Sequence, residues 1–209
     1  MVSQLGQIAR SRRQQHLHSV SKPNRVIAIA SSMGGIEALK KVVSNLPSDF
    51  PGAIIVVQHL SPKHKSYLSQ IIGRSTNLRV VQAEDGMVLC GKTIYVTPPN
   101  KHLIINPNET ISLSDAPKEH FVRPSAEYTF KSLANSYKEK AIAIVLTGCD
   151  GDGQEGVKVI KEMGGKVIAQ DRETSKAFSM PQSAIDTGCV DLVLPLDEIT
   201  DGIVNMVFN

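Results

Sequence analysis

Tryptophan is missing from this 209-residue chain, and aromatic residues make up only 4% of it. A core has therefore to be assembled from Val, Ile, Leu and Ala. Cysteine is equally scarce. Cys90, Cys149 and Cys189 form an odd set at long spacings, with no C-x-x-C. That excludes a disulfide framework and a zinc ribbon, and places the chain in a reducing cytoplasm. Long apolar runs are absent too. AIAIVL (141–146) is among the longest, far below the roughly 20 residues that cross a bilayer. The N-terminus has no apolar stretch of signal-peptide length, so a soluble protein without membrane insertion is expected. Acid is missing from residues 1–25, which hold Arg10, Arg12, Arg13, Lys22 and Arg25. The net charge is +3, so the remainder carries −2. The basicity belongs to a tail, and the body has no electrostatic footprint for nucleic acid.

Residues 1–24 are polar, without a sustained period, and read as a basic, disordered tail. Residues 25–209 read as one domain in which apolar runs alternate with helical patterns. RVIAIAS (25–31), AIIVVQ (53–58), AIAIVL (141–146), KVIAQ (166–170) and DLVLPL (191–196) read as strands. Helices are expected at 35–46, 64–74, 125–139, 153–163, near 181–186 and at 197–208. Four short strand-like pieces between 79 and 114 suggest an antiparallel excursion of hairpins. Fully apolar strands alternating with helices imply a mostly parallel sheet covered on both faces. The expected fold is α/β, doubly wound, with an antiparallel hairpin insertion.

In such sheets ligands bind beyond the carboxyl ends of the strands. Ser31, Ser32, Met33, Gly34 and Gly35 follow the first strand, and Gln58 and His59 follow the second. Thr147 to Gly153, with Cys149, Asp150 and Asp152, follow the third. Ala30-Ser31-Ser32-Met33-Gly34 is one substitution from G-x-S-x-G, the turn that exposes a nucleophilic serine. A serine-rich helix cap would look the same. A phosphate nest is disfavoured, since neither G-x-x-x-x-G-K-[ST] nor a full G-x-G-x-x-G occurs. His59, on the same edge as Ser32, is placed to serve as a general base. The CDGDG segment is not an EF-hand: aligning Asp150 and Asp152 with ligand positions leaves Gly148 and Val159 where carboxylates are required. An aspartate that orients the imidazole fits better, and spacing does not choose between Asp150 and Asp152.

IAIASSMGG, VVQHL, AEDG, TPPNKHL, RPSAE, LTGCDGDG, IAQD and SMPQSA occur in that order along the chain. Together they resemble the catalytic domain of the chemotaxis protein-glutamate methylesterases (CheB-type) over roughly residues 25–207. The resemblance implies a doubly wound α/β fold and a Ser-His-Asp triad of Ser32, His59 and Asp152. It implies an oxyanion hole from the backbone N–H groups of Met33 and Cys149, and no metal or cofactor. The chain departs from the family at two points. Met33 stands where a threonine is usual. Cys149-Asp150-Gly151 replaces Met-Gly-Asn, which sets an extra carboxylate, Asp150, near the site. The N-terminal receiver domain common in the family is not expected here, so any switch would lie with a separate regulatory protein.

The activity implied is hydrolysis of glutamate methyl esters on methyl-accepting chemoreceptor signalling domains, through an acyl-enzyme, with release of methanol. Glutamine deamidation on the same receptors is the near alternative. A non-catalytic receptor-docking module and a nucleotide-binding regulator using the glycine turn are the more distant ones. Arg123, Lys101 and His102 are read as residues that hold loops.

Overall fold

A computed structural model describes residues 21–61 and 66–208. The basic residues at 10, 12 and 13, His16, His18 and the start of the helix expected at 64–74 lie outside the described residues. Ser21 to Asn24 lie against the domain: Gly91 donates to the Ser21 carbonyl at 2.9 Å, Lys22 pairs with Glu109, and Asn24 donates to the Val207 carbonyl at 3.2 Å.

The chain runs β1 (Val26–Ser31), α1 (Gly35–Ser44), β2 (Ala53–Gln58), α2 (Leu68–Gly73), β3 (Arg79–Gln82) and β4 (Thr93–Val96). A hairpin of β5 (His102–Ile105) and β6 (Ile111–Ser114) follows, then α3 (Ala126–Tyr137), β7 (Ala141–Val145) and α4 (Gln154–Glu162). β8 (Lys166–Gln170), α5 (Ser179–Ile185), β9 (Leu192–Leu194) and α6 (Ile199–Phe208) complete it. Seven strands form one parallel sheet in the order β3-β4-β2-β1-β7-β8-β9.

Alternate residues of each central strand feed two cores, as the two-residue period of a strand requires. Ile27 and Ile29 of β1 pack with Leu39 and Val42 of α1 and with Ile199 and Ile203 of α6. Ala28 and Ala30 face the other way, toward Phe130 and Leu133 of α3 and Val157 and Ile160 of α4. The five strands read from apolar runs are present. One reading needs correction. β3 and β4 are not hairpin strands but parallel members of the main sheet, with Arg79 opposite Thr93 and Ala53 opposite Thr93. Among the strands of the described residues, β5 and β6 are the pair that runs antiparallel, as a separate two-stranded sheet. They lie on α3, where the Ser132 hydroxyl accepts from Ile105 N–H at 3.0 Å and the Ser136 hydroxyl donates to the Ile105 carbonyl at 2.9 Å.

The helix after β1 begins without a serine cap. Gly34 holds its N-cap position at φ 78°, with no side-chain capping bond. Gly35 then passes so close to β2 that a Cβ there would lie 2.3 Å from Gln58 Oε1 and 2.6 Å from Ser31 Cβ. Both glycines are thus steric requirements of the strand-to-helix turn. Gly35→Ala is expected to destabilise the domain by about 1–3 kcal/mol, the usual cost of overpacking. Urea unfolding of the variant beside the wild type measures this, and an unchanged midpoint would refute it.

Candidate active site

The sheet order reverses at β1: the chain goes first to β2 and β4 on one side, then to β7 and β8 on the other. This is the switch point at which a crevice opens beyond the strand ends. The three sequence segments with candidate chemistry leave β1, β2 and β7 there. They are tied together by backbone: Ser32 N–H donates to the Thr147 carbonyl and His59 N–H to the Ser31 carbonyl, both at 3.0 Å.

Gln58 fixes the turn from beneath. Its amide nitrogen donates to the carbonyls of Ser32 at 2.9 Å and His59 at 3.0 Å, while its Oε1 accepts the Ser31 hydroxyl at 2.7 Å. Ser31 is thereby consumed in the buried structure. Ser32 is half-buried, and its hydroxyl makes no hydrogen bond among the described residues. Its Cβ faces Gly148, where an added Cβ would lie 3.0 Å away. The Met33 and Cys149 side chains are exposed on either side, Sδ and Sγ 3.5 Å apart. Among the described residues neither the Met33 N–H nor the Cys149 N–H donates a hydrogen bond.

The structure brings His59 to both aspartates. His59 Nε2 lies 2.8 Å from Asp152 Oδ2. Nδ1 lies 3.2 Å from Asp150 Oδ2, a charge contact rather than an aligned hydrogen bond, so that this buried nitrogen has no hydrogen-bond partner. Burial alone would lower the imidazole pKa; the two carboxylates outweigh it and raise the pKa from 6.5 to about 9. Burial pushes the Asp150 carboxyl upward, but its contact with His59 more than offsets this and leaves it below the ordinary value. Asp152 is 1% exposed. Besides His59, its carboxylate accepts the Ser125 hydroxyl at 2.5 Å, Ala126 N–H at 2.5 Å and Glu127 N–H at 3.3 Å. It therefore sits on the N-terminus of α3, where backbone donors and the helix dipole favour a negative charge.

Ser125, Glu127 and Gln58 are the supporting residues to which sequence reasoning assigned no role. Glu127 is buried and accepts Gly153 N–H at 3.1 Å, Glu155 N–H at 2.9 Å and Gly156 N–H at 2.7 Å, the first turn of α4. Burial raises its pKa, partly offset by those amides. A serine at the start of the helix expected at 125–139 could have signalled a cap, but no spacing signals its bond to a residue 27 positions on. Arg123, Lys101 and His102 hold loops, as expected. Arg123 grips Asn100 Oδ1 and the carbonyls of Asp115 and Ala116. Lys101 pairs with Asp115 at 2.5 Å. His102 stacks on Tyr128 and accepts Ser125 N–H at 3.2 Å. Among the described residues no group of three or more His, Cys, Asp or Glu side chains is placed to hold a metal, and no helix is long and apolar enough to cross a membrane.

Fold and cluster together define a doubly wound α/β domain carrying a serine, a histidine and an aspartate at its switch point. A family model described as CheB methylesterase matches residues 27–203. The chain belongs to that family. It is 38% identical over 192 residues to protein-glutamate methylesterase/protein-glutamine glutaminase 2 of Methanosarcina acetivorans, covering 88% of this chain and 54% of that one. It is 36% identical over 195 residues to the protein-glutamate methylesterase/protein-glutamine glutaminase of Thermotoga maritima, 90% of this chain and 57% of that one. The chain thus spans about half the length of these relatives. The crystal structure of the Thermotoga maritima CheB methylesterase catalytic domain superposes with a TM-score of 0.84 at 36% identity, over 88% of this chain and 98% of that one.

The raised His59 pKa has a consequence for stability. The folded value, about 9, exceeds the ordinary 6.5, so the folded state binds the proton more tightly. This contribution is complete below pH 6.5 and is lost as the pH rises through 9. Urea unfolding is therefore expected to show stability falling across that window, with the slope reduced in His59→Gln. Equal slopes in the two proteins would refute the shift.

Proposed function

We propose that the chain is a serine hydrolase that removes methyl esters from methylated glutamates of chemoreceptor signalling domains in the cytoplasm. The observation that carries this reading is His59 held on the buried Asp152 at the strand ends from which Ser32 also leaves, within a family-matched domain. Ser32 Oγ attacks the γ-ester carbonyl. Nε2 of His59 is held by Asp152, so Nδ1 is the nitrogen that takes the serine proton. Asp152 fixes the ring and offsets the charge of the imidazolium that forms. The uncommitted N–H groups of Met33 and Cys149 are suited to the developing oxyanion, as preorganised donors that need no rearrangement. His59 returns the proton to the departing methoxide, and methanol leaves. Water then attacks the glutamyl acyl-enzyme with His59 again as base, giving the free carboxylate and Ser32.

Deamidation of receptor glutamine is the second reading. The relatives' names pair the esterase with a glutaminase, and the same steps apply with ammonia leaving. The docking-module alternative is disfavoured by the bonds that hold His59 on a buried carboxylate, which binding alone does not require. A separate protein that switches the enzyme remains part of the proposal.

The test is release of methanol from a methylated receptor signalling fragment, and of ammonia from its glutamine form. Ser32→Ala is expected to fold normally and to lower turnover by about 10⁴-fold or more, as nucleophile deletions do. Near wild-type turnover in that variant would overturn the mechanism.

A further inference from the structure

Asp150 has no role in the reaction just described, yet its Oδ2 lies 3.2 Å from His59 Nδ1, a buried nitrogen without a hydrogen-bond partner among the described residues. Its position is built. Oδ1 accepts the Asp152 N–H at 3.2 Å, which turns Oδ2 toward the ring. The His59 side chain is 9% exposed and that of Asp150 29%, so the carboxylate has a path to solvent that the imidazole lacks.

The two states of His59 treat Asp150 in opposite ways. With a proton on each ring nitrogen, Nδ1–H attracts Oδ2. Once that proton leaves to solvent, Nε2–H stays on Asp152 and Nδ1 turns a lone pair toward the same carboxylate oxygen. Two acceptors then face each other at 3.2 Å, and the contact becomes repulsive. The Nδ1 lone pair is also the group required to receive the Ser32 proton. Contact with Asp150 and action as a base therefore exclude one another.

We propose that Asp150 is a positioning residue that competes with Ser32 for His59 Nδ1, holding the site in a resting, protonated state until the carboxylate turns out to solvent. This rests on Ser32 as nucleophile and His59 as base. Other charged groups bear on the ring from neighbouring elements. Asp152 is on Nε2, and His120 acts on Asp150. Lys118 and Arg123 line a small cavity of about 90 Å³ with His59, and His102 accepts the N–H of Ser125, whose hydroxyl bonds Asp152. Lys118 and Arg123 carry positive charge, which by its sign opposes a proton on the ring. They are common to all the variants below and cancel in comparison.

The experiment is a pH profile of kcat/KM for methanol release, with wild type, Asp150→Asn and Asp150→Glu, alongside an NMR titration of the His59 ring in each. In the free enzyme the profile reports the base. In Asp150→Asn the acid-limb midpoint and the NMR midpoint are expected to fall by about one pH unit or more. The activity at pH 7 should then rise about tenfold, the gain in neutral imidazole that one unit supplies. Asp150→Glu is expected to keep both midpoints high. Midpoints that stay put in Asp150→Asn overturn the proposal, whether activity is unchanged, as for a surface residue, or falls equally at every pH, as for a merely structural one. Absence of methanol from the wild type at all pH values would count against the hydrolase reading itself, while the NMR titration would still decide whether Asp150 governs the His59 proton.

Discussion

One buried charge organises this molecule. The Asp152 carboxylate is removed from water, and a buried carboxylate is tolerated only when its lone pairs are fully engaged. Here the Ser125 hydroxyl, the Ala126 and Glu127 amides and His59 Nε2 meet that requirement. The first three donors exist because a helix begins at Ala126, and the fourth because β2 ends just before His59. The beginning of α3, the end of β2 and the loop after β7 are accordingly held at one point. Moving any of them would strand a charge in the interior.

The rest of the site follows from how a parallel sheet ends. β1 lies between β2 and β7 in register, so Ser31 is level with Gln58 and Ala30 with Val145. Residues one or two places further along each strand emerge side by side. The alanines of β1 that face α3 keep that helix close to the sheet, which is what brings its N-terminal amides to the carboxylate. Large isoleucines occupy the opposite face, where α1 and α6 stand on them. The composition of one strand, small on one side and bulky on the other, thus positions the loops above it.

Much of this was legible before any coordinates. β2 and β8 have the bounds read from their apolar runs, and β1 and β7 differ by a single residue at one end, because buried strands flanked by turn residues leave little freedom. The segment at 79–114 was half misread. Four-residue strands separated by Gly, Pro and Asn look alike whether the next strand returns antiparallel or crosses over parallel. The β3–β4 connection contains no helix to give the crossover away. The serine-rich turn was ambiguous for a different reason. A nucleophile turn and a serine-rich helix cap look alike there, and only the coordinates show that Gly34 takes the cap position while Gln58 binds the Ser31 hydroxyl. The pairing of His59 with both aspartates depends on ring orientation, which no spacing encodes.

The helices α3 and α4 cap each other. Asp152, in the turn before α4, serves the start of α3, and Glu127, in the first turn of α3, serves the start of α4. Neither helix can fray at its N-terminus without uncapping its neighbour, so the two open together or not at all. Local unfolding that releases the carboxylate must then break five charge-assisted amide bonds and a helix–helix contact in one step. The residue that holds the imidazole thereby opens only with this paired helical unit. Ser32 and Asp150 lie on loops outside that unit, so their side chains are set against a rigid reference.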